Sequence, residues 1–293
     1  MNEHRVKQLL DEARYYEDHR MWLHAVQIYQ KLVHDAPEAW KYRVRLGMIY
    51  LEMGNLVAAE QLLLQALRLD PHNADVLYTL GMASYQSNEL DRALFYLREL
   101  AGKDIAKVHY LIGLVYWKRL DYVSAERHFR IAFDLEDGNV DTALALGEAC
   151  LRNGNFADAV EVLGRAVTLA PTDNVVSYVY AQALIHTEAF DEAEIVLRGL
   201  ITRAAEHSDA MHALAGVLMR LRRYDDAEQL LKSMLTQESD QARILIMLGR
   251  LALVRAQREK AEEYFRRVLE IDPQHQEALE QLRYFIPHVH PSS

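Results

Sequence analysis

Alanine recurs along the chain at Ala25, Ala59, Ala93, Ala125, Ala159, Ala193, Ala227 and Ala261, at intervals of 34 residues with a single interval of 32 before Ala125. Twelve positions before each alanine stands another small residue: Ala13, Gly47, Gly81, Gly113, Gly147, Ala181, Ala215 or Gly249. A large apolar residue precedes that small one in Leu46, Leu80, Ile112, Leu146, Tyr180, Leu214 and Leu248, and only Glu12 departs. Four positions after each alanine comes Tyr29, Leu63, Leu97, Phe129, Leu163, Leu197, Leu231 or Phe265. Helical i,i+4 spacing puts such pairs on one buried stripe, so each period predicts two amphipathic helices. Small residues on both helices let their backbones approach closely.

The breaks in the pattern have their own chemistry. Pro37, Pro71, Pro171 and Pro273 each fall twelve residues after an alanine, where a missing N–H stops one helix and admits the next. Gly54, Asn88 and Gly154 lie between the two helices of a period, where a left-handed residue commonly ends a helix; Leu120, Glu188, Arg222 and Ala256 stand there elsewhere. After Pro273, the segment 276–286 places Ala278, Leu279, Leu282, Phe285 and Ile286 on one face and predicts a capping helix, with a flexible tail over 287–293. The polar Glu12 suits the exposed outer face of a terminal repeat.

Composition agrees. Hydrophobic residues make up 51% and charged residues 26% of the 293, enough for both a core and a solvated exterior, and only 12 Gly and 6 Pro interrupt a chain in which Leu and Ala recur. The formal net charge of −10 argues against a general nucleic-acid binder, which needs a basic surface for phosphates. One cysteine, Cys150, excludes an internal disulfide and a thiolate zinc site and fits a buried position better than a nucleophile. The charged start MNEHRVKQLLDE lacks a signal-peptide core, and no apolar run approaches the ~18 residues of a membrane span, so a cytoplasmic location without membrane insertion is expected.

The period, with LGMIY at 46–50, IGLVY at 112–116 and A-x3-F from Ala125 and Ala261, resembles the tetratricopeptide repeat family pattern W-x2-L-G-x2-Y…A-x3-F…P. The resemblance covers residues 6–275 as one array of eight repeats: 6–39, 40–73, 74–105, 106–139, 140–173, 174–207, 208–241 and 242–275. It implies an all-α, right-handed superhelical solenoid of antiparallel helix-turn-helix repeats. It also implies a concave wall lined by the first helices, where a peptide segment or helix of a partner protein binds.

The family's inward positions give Tyr78, Met82, Tyr85, Lys107, Tyr110, Leu114, Trp117 and Lys118 in the middle of the array, with Tyr178, Gln182 and His186 farther on. Large aromatics dominate protein interfaces, which makes Trp117 the foremost candidate. Aromatics at these places also help pack neighbouring repeats, so both roles stand open. Arg220, Arg243 and Arg250 give the wall a basic end, near His212, Arg222 and Arg223, suited to a partner's carboxylates; a solvated face paired with Asp209, Asp225 and Asp226 is the alternative. The family's carboxylate clamp needs lysine and asparagine at positions five and nine, and the first repeat has Leu10 and Arg14 there; an asparagine ladder is missing too.

No phosphate-binding glycine loop, dinucleotide fingerprint, H-E-x-x-H or G-x-S-x-G occurs. No catalytic residue, cofactor or metal is expected, His288 and His290 forming only an unsupported pair near the end. The expectation is a non-catalytic adaptor or scaffold whose protein or peptide partner is unspecified. A self-assembling scaffold, homo-oligomeric through its ends or convex face, is the alternative, and an enzyme or RNA-binding repeat protein a distant third.

Overall fold

The structure, a computed structural model, describes residues 3–235 and 241–284. It divides into two compact units, Met1–Asn153 and Gly154–Ser293. In the first, helices pair as hairpins: α1 (Glu3–Asp18) with α2 (Trp22–Asp35), α3 (Trp40–Glu52) with α4 (Leu56–Leu69), α5 (Ala74–Gln86) with α6 (Leu90–Arg98), and α7 (Ala106–Lys118) with α8 (Tyr122–Leu135), followed by α9 (Val140–Asn153). The second holds α10 (Phe156–Leu169), the pairs α11 (Asn174–His186) with α12 (Phe190–Arg203), α13 (Ser208–Arg220) with α14 (Tyr224–Leu235) and α15 (Gln241–Val254) with α16 (Arg258–Ile271), and α17 (Gln276–Arg283). No strand occurs among the described residues. The fold is all-α, as the period predicts.

The recurring alanines are all fully buried. The small residues of the first helices lie against the bulky stripe residue of the second: a β-carbon built on Gly47, Gly81, Gly113 or Gly249 would meet Leu63, Leu97, Phe129 or Phe265 at 3.0, 2.7, 2.5 and 2.7 Å. These four hairpins thus close on a side chain seated where a partner β-carbon is missing. First helices also touch the first helices of the next hairpin, α3 on α5, α5 on α7 and α11 on α13. Apolar clusters fill the seams, one around Leu63, Leu80 and Leu97 and another around Leu197, Leu214 and Leu231.

Within the hairpins the turn is a left-handed residue: Arg20, Gly54, Asn88, Leu120, Glu188, Arg222 and Ala256 have φ between 53° and 74°. The amide one place farther on then bonds back to the first helix, Asn55 N to Tyr50 O at 2.8 Å and Asp121 N to Tyr116 O at 3.0 Å, satisfying carbonyls the helix end leaves open. Asn73, Asp121 and Asp173 cap α5, α8 and α11 with side-chain oxygens.

On α17 the expected apolar face is narrower than the sequence implies. Ala278 is fully buried and Leu282 packs against the cluster of Phe265 and Val268, whereas Leu279 is 37% exposed, because one residue of helix turns it ~100° from Ala278. Phe285, Ile286, the 287–293 tail and its His288 and His290 lie outside the described residues.

Candidate functional site

In the first compact unit, α5 and α7 bring together the residues expected on the inner wall. Lys107 Nζ lies 4.7 Å from the centre of the Tyr78 ring, and Lys118 Nζ 4.4 Å from that of Tyr85, so each lysine of α7 reaches back over a tyrosine of α5. Lys118 Nζ also donates to the Tyr85 carbonyl at 3.3 Å. Tyr110 lies between these pairs in sequence and leans on Phe129, ring centres 5.7 Å apart. Burial pushes the hydroxyl pKa of Tyr78, Tyr85 and Tyr110 up; at Tyr110 the nearby Asp141, Tyr85 and Glu148 add to the rise. All three remain neutral hydrogen-bonding groups at ordinary pH.

Tyr78, Met82, Tyr85 and Leu114 are partly buried and also pack beside the core cluster of this unit. Trp117 is half-buried and meets Tyr122 of its own hairpin edge-on, ring centres 5.0 Å apart. The packing role is thus observed: these residues help seal the seam between hairpins while remaining partly exposed.

In the second unit, Tyr178, Arg243 and Arg250 line a cavity of 690 Å³ together with Asp209, His212 and Glu277. Burial raises the Tyr178 hydroxyl pKa, Asp209 adds to it, and Gln182 and Arg243 oppose it. The basic end is internally paired: Arg243 donates to Asp209 at 2.9 Å, Arg250 grips Glu277 with two bonds of 2.6 Å, and Arg220 holds Glu188 at 3.0 Å while lying over Phe190. Arg223 binds both oxygens of Glu194 at 2.7 Å and also Asp226. The pairs with Asp209 and Asp226 are those the solvated-face alternative names. As partners of these arginines, Glu188, Glu194 and Glu277 escaped the sequence reading, although Asp209, Arg243 and Glu277 recur at steps of 34 residues and so share one register position. His212 is 3% exposed and its Nε2 has no hydrogen-bond partner among the described residues. His186 stacks on Phe156 at 4.4 Å. Cys150 is fully buried.

Tetratricopeptide repeat models match residues 10–74, 45–106 and 110–174, and a second such model matches 151–218 and 218–283. The chain belongs to the tetratricopeptide repeat family. No curated protein matches the sequence. Among solved structures, a tetratricopeptide repeat protein from Parabacteroides merdae is 16% identical over 83% of this chain and 97% of its own, with a TM-score of 0.56. YrrB, described as a tetratricopeptide repeat protein with an unusual peptide-binding site, is 17% identical over 64% of this chain and 98% of its own, TM-score 0.56. The C-terminal part of a repeat protein from Cytophaga hutchinsonii is 12% identical over 93% and 98%, TM-score 0.57. At such identities the likeness is one of fold. Tetratricopeptide membership supports a protein-interaction role, and among the described residues no helix is long and apolar enough to cross a membrane.

Proposed function

We propose that this tetratricopeptide array is a non-catalytic adaptor that holds a segment or helix of a partner protein on the wall made by its first helices. The observation that carries the reading is the repeated lysine-over-tyrosine pair, Lys107 on Tyr78 and Lys118 on Tyr85, flanking Tyr110 and Trp117. It presents flat apolar faces rimmed by hydroxyl and ammonium groups, which suits a partner's apolar side chains together with its backbone carbonyls. Met82 and Leu114 add apolar surface between them.

The second unit contributes a different chemistry. Arg243 and Arg250 already satisfy Asp209 and Glu277, so a partner carboxylate would have to displace a bonded one. Alternating donors and acceptors, with the unpartnered His212 Nε2 beside them, fit a neutral peptide backbone better than an acidic tail.

Recovery of partners from the native host on immobilised protein, identified by mass spectrometry, tests the reading. The double substitution Tyr110→Ala, Trp117→Ala is expected to lose them with its helical circular dichroism intact. Unchanged recovery would move the binding site off this wall.

A further inference from the structure

A second opening lies on the other side of the first compact unit, where the second helices run, and its origin is the short repeat. Helix α6 has 9 residues where α4 and α8 have 14. One residue after the recurring alanine, five repeats carry a glutamate: Glu60, Glu126, Glu194, Glu228 and Glu262. Four of these tie their helix to the hairpin that follows: Glu60 to Arg92, Glu126 to Asn153, Glu194 to Arg223 and Glu228 to Arg255. The third repeat has Leu94 there, so the seam between α6 and the next hairpin lacks this tie.

A cavity of 420 Å³ occupies the seam, within the usual range of ligand pockets. Its lining is apolar through Leu94, Ala101 and Ile112, with the Tyr116 ring on one side. Phe95 stands at the mouth, 73% exposed. His128 supplies a fixed polar group: its Nδ1 faces Nδ1 of His109 at 3.1 Å, and its ring lies parallel to that of Tyr116, centres 5.6 Å apart. The His109 and His128 ring centres are 5.4 Å apart, so the two nitrogens meet head-on between the rings, the geometry of one N–H···N bond and not of lone pairs converging on a metal.

The charge around the opening runs against that of the protein. Asp91 at the rim is bound by Arg119. Arg98 on the rim and Arg127, which occupies on α8 the register position of Phe95 on α6 and acts on both histidines, are exposed and make no ion pair among the described residues. A chain of net charge −10 thus keeps two uncommitted guanidinium groups here, Arg98 on the rim of the cleft and Arg127 close enough to act on its His128.

We propose that this cleft is a second docking site, taking a short acidic segment of another protein that buries one large apolar side chain against Leu94, Phe95 and Ile112 while its carboxylates pair with Arg98 and Arg127. The inserted side chain supplies the burial, and the guanidinium pairs fix which segments are accepted. The cleft shares α7 with the inner wall but draws on different residues of it, Ile112 and Tyr116 instead of Tyr110, Leu114 and Trp117.

Fluorescence anisotropy with a labelled ten-residue peptide, a central Trp-Leu pair between pairs of glutamates, tests the proposal on the full chain. Saturable binding is expected, weakened by about tenfold or more when the Trp-Leu pair becomes Ala-Ala or the glutamates become lysines. Phe95→Ala should weaken it similarly, and Arg98→Glu should reverse the preference between glutamate and lysine peptides. Both residues are exposed, so both variants should fold. Tyr110→Ala, Trp117→Ala should leave this affinity unchanged, which separates the site from the inner wall. No saturable binding, equal binding of the Ala-Ala peptide, or loss in the inner-wall variant without loss in Phe95→Ala would overturn it.

Discussion

Gly113 and Gly216 sit in the middle of equivalent first helices, yet the same substitution should act on them in opposite directions. A β-carbon at Gly113 would lie 2.5 Å from two carbons of Phe129, a ring that is fully buried and held by its own hairpin. Nothing lies within 4 Å of one built on Gly216. Alanine gains roughly 1 kcal/mol of helix propensity over glycine, and overpacking a core costs about 1 to 3 kcal/mol. The clash outweighs the gain at Gly113, and the gain stands alone at Gly216. Gly113→Ala should therefore lower the midpoint of urea unfolding and Gly216→Ala should raise it. Matching shifts of one sign would refute the seat-and-knob account of hairpin closure. The sequence displays the small residues at their period, but not which of them touch: that depends on whether Phe129 or a shorter side chain faces the gap.

At the scale of helices, the turn register is legible because the backbone demands the same left-handed residue in every hairpin, even where Leu120, Glu188 or Arg222 must adopt it. The His109–His128 bond between α7 and α8 is not legible, since nothing in the spacing of two histidines tells that one first helix and one second helix bring them head-on. It has a measurable consequence. Burial, with His109 and Arg127 nearby, lowers the His128 pKa from 6.5 to about 4. The unfolded chain then binds more protons than the folded one between those values, so stability falls as pH drops through that window and is unaffected by this group above it. Urea midpoints measured at steps from about pH 7 to about pH 5 should fall for the wild type and fall less for His128→Gln. Parallel slopes would mean that the histidine titrates in the fold as it does in the open chain.

For the whole chain, the repeat architecture could be read in advance while the occupant of its wall could not, and one physical fact explains both. Tyr78, Met82, Tyr85 and Leu114 pack on the core from the same positions that face outward, so their residue types are fixed by stacking before any partner is considered. The paired arginines of the second unit are similar: Arg243 and Arg250 read as a basic patch in sequence and as closed ion pairs in space. Stacking also limits how far a local change can travel. Within the first unit, the principal packing joins helices one or two places apart in the chain, and that of α1 and α2 extends to α3. In such a quasi-one-dimensional array, stability is a sum of repeat and nearest-neighbour terms. Gly113→Ala should then accelerate amide hydrogen exchange in α7, α8 and the helices packed on them while α1 and α2 keep wild-type protection. A uniform loss of protection from α1 to α9 would instead make this unit a single cooperative block, in which a partner bound at α5 and α7 would stabilise every hairpin alike.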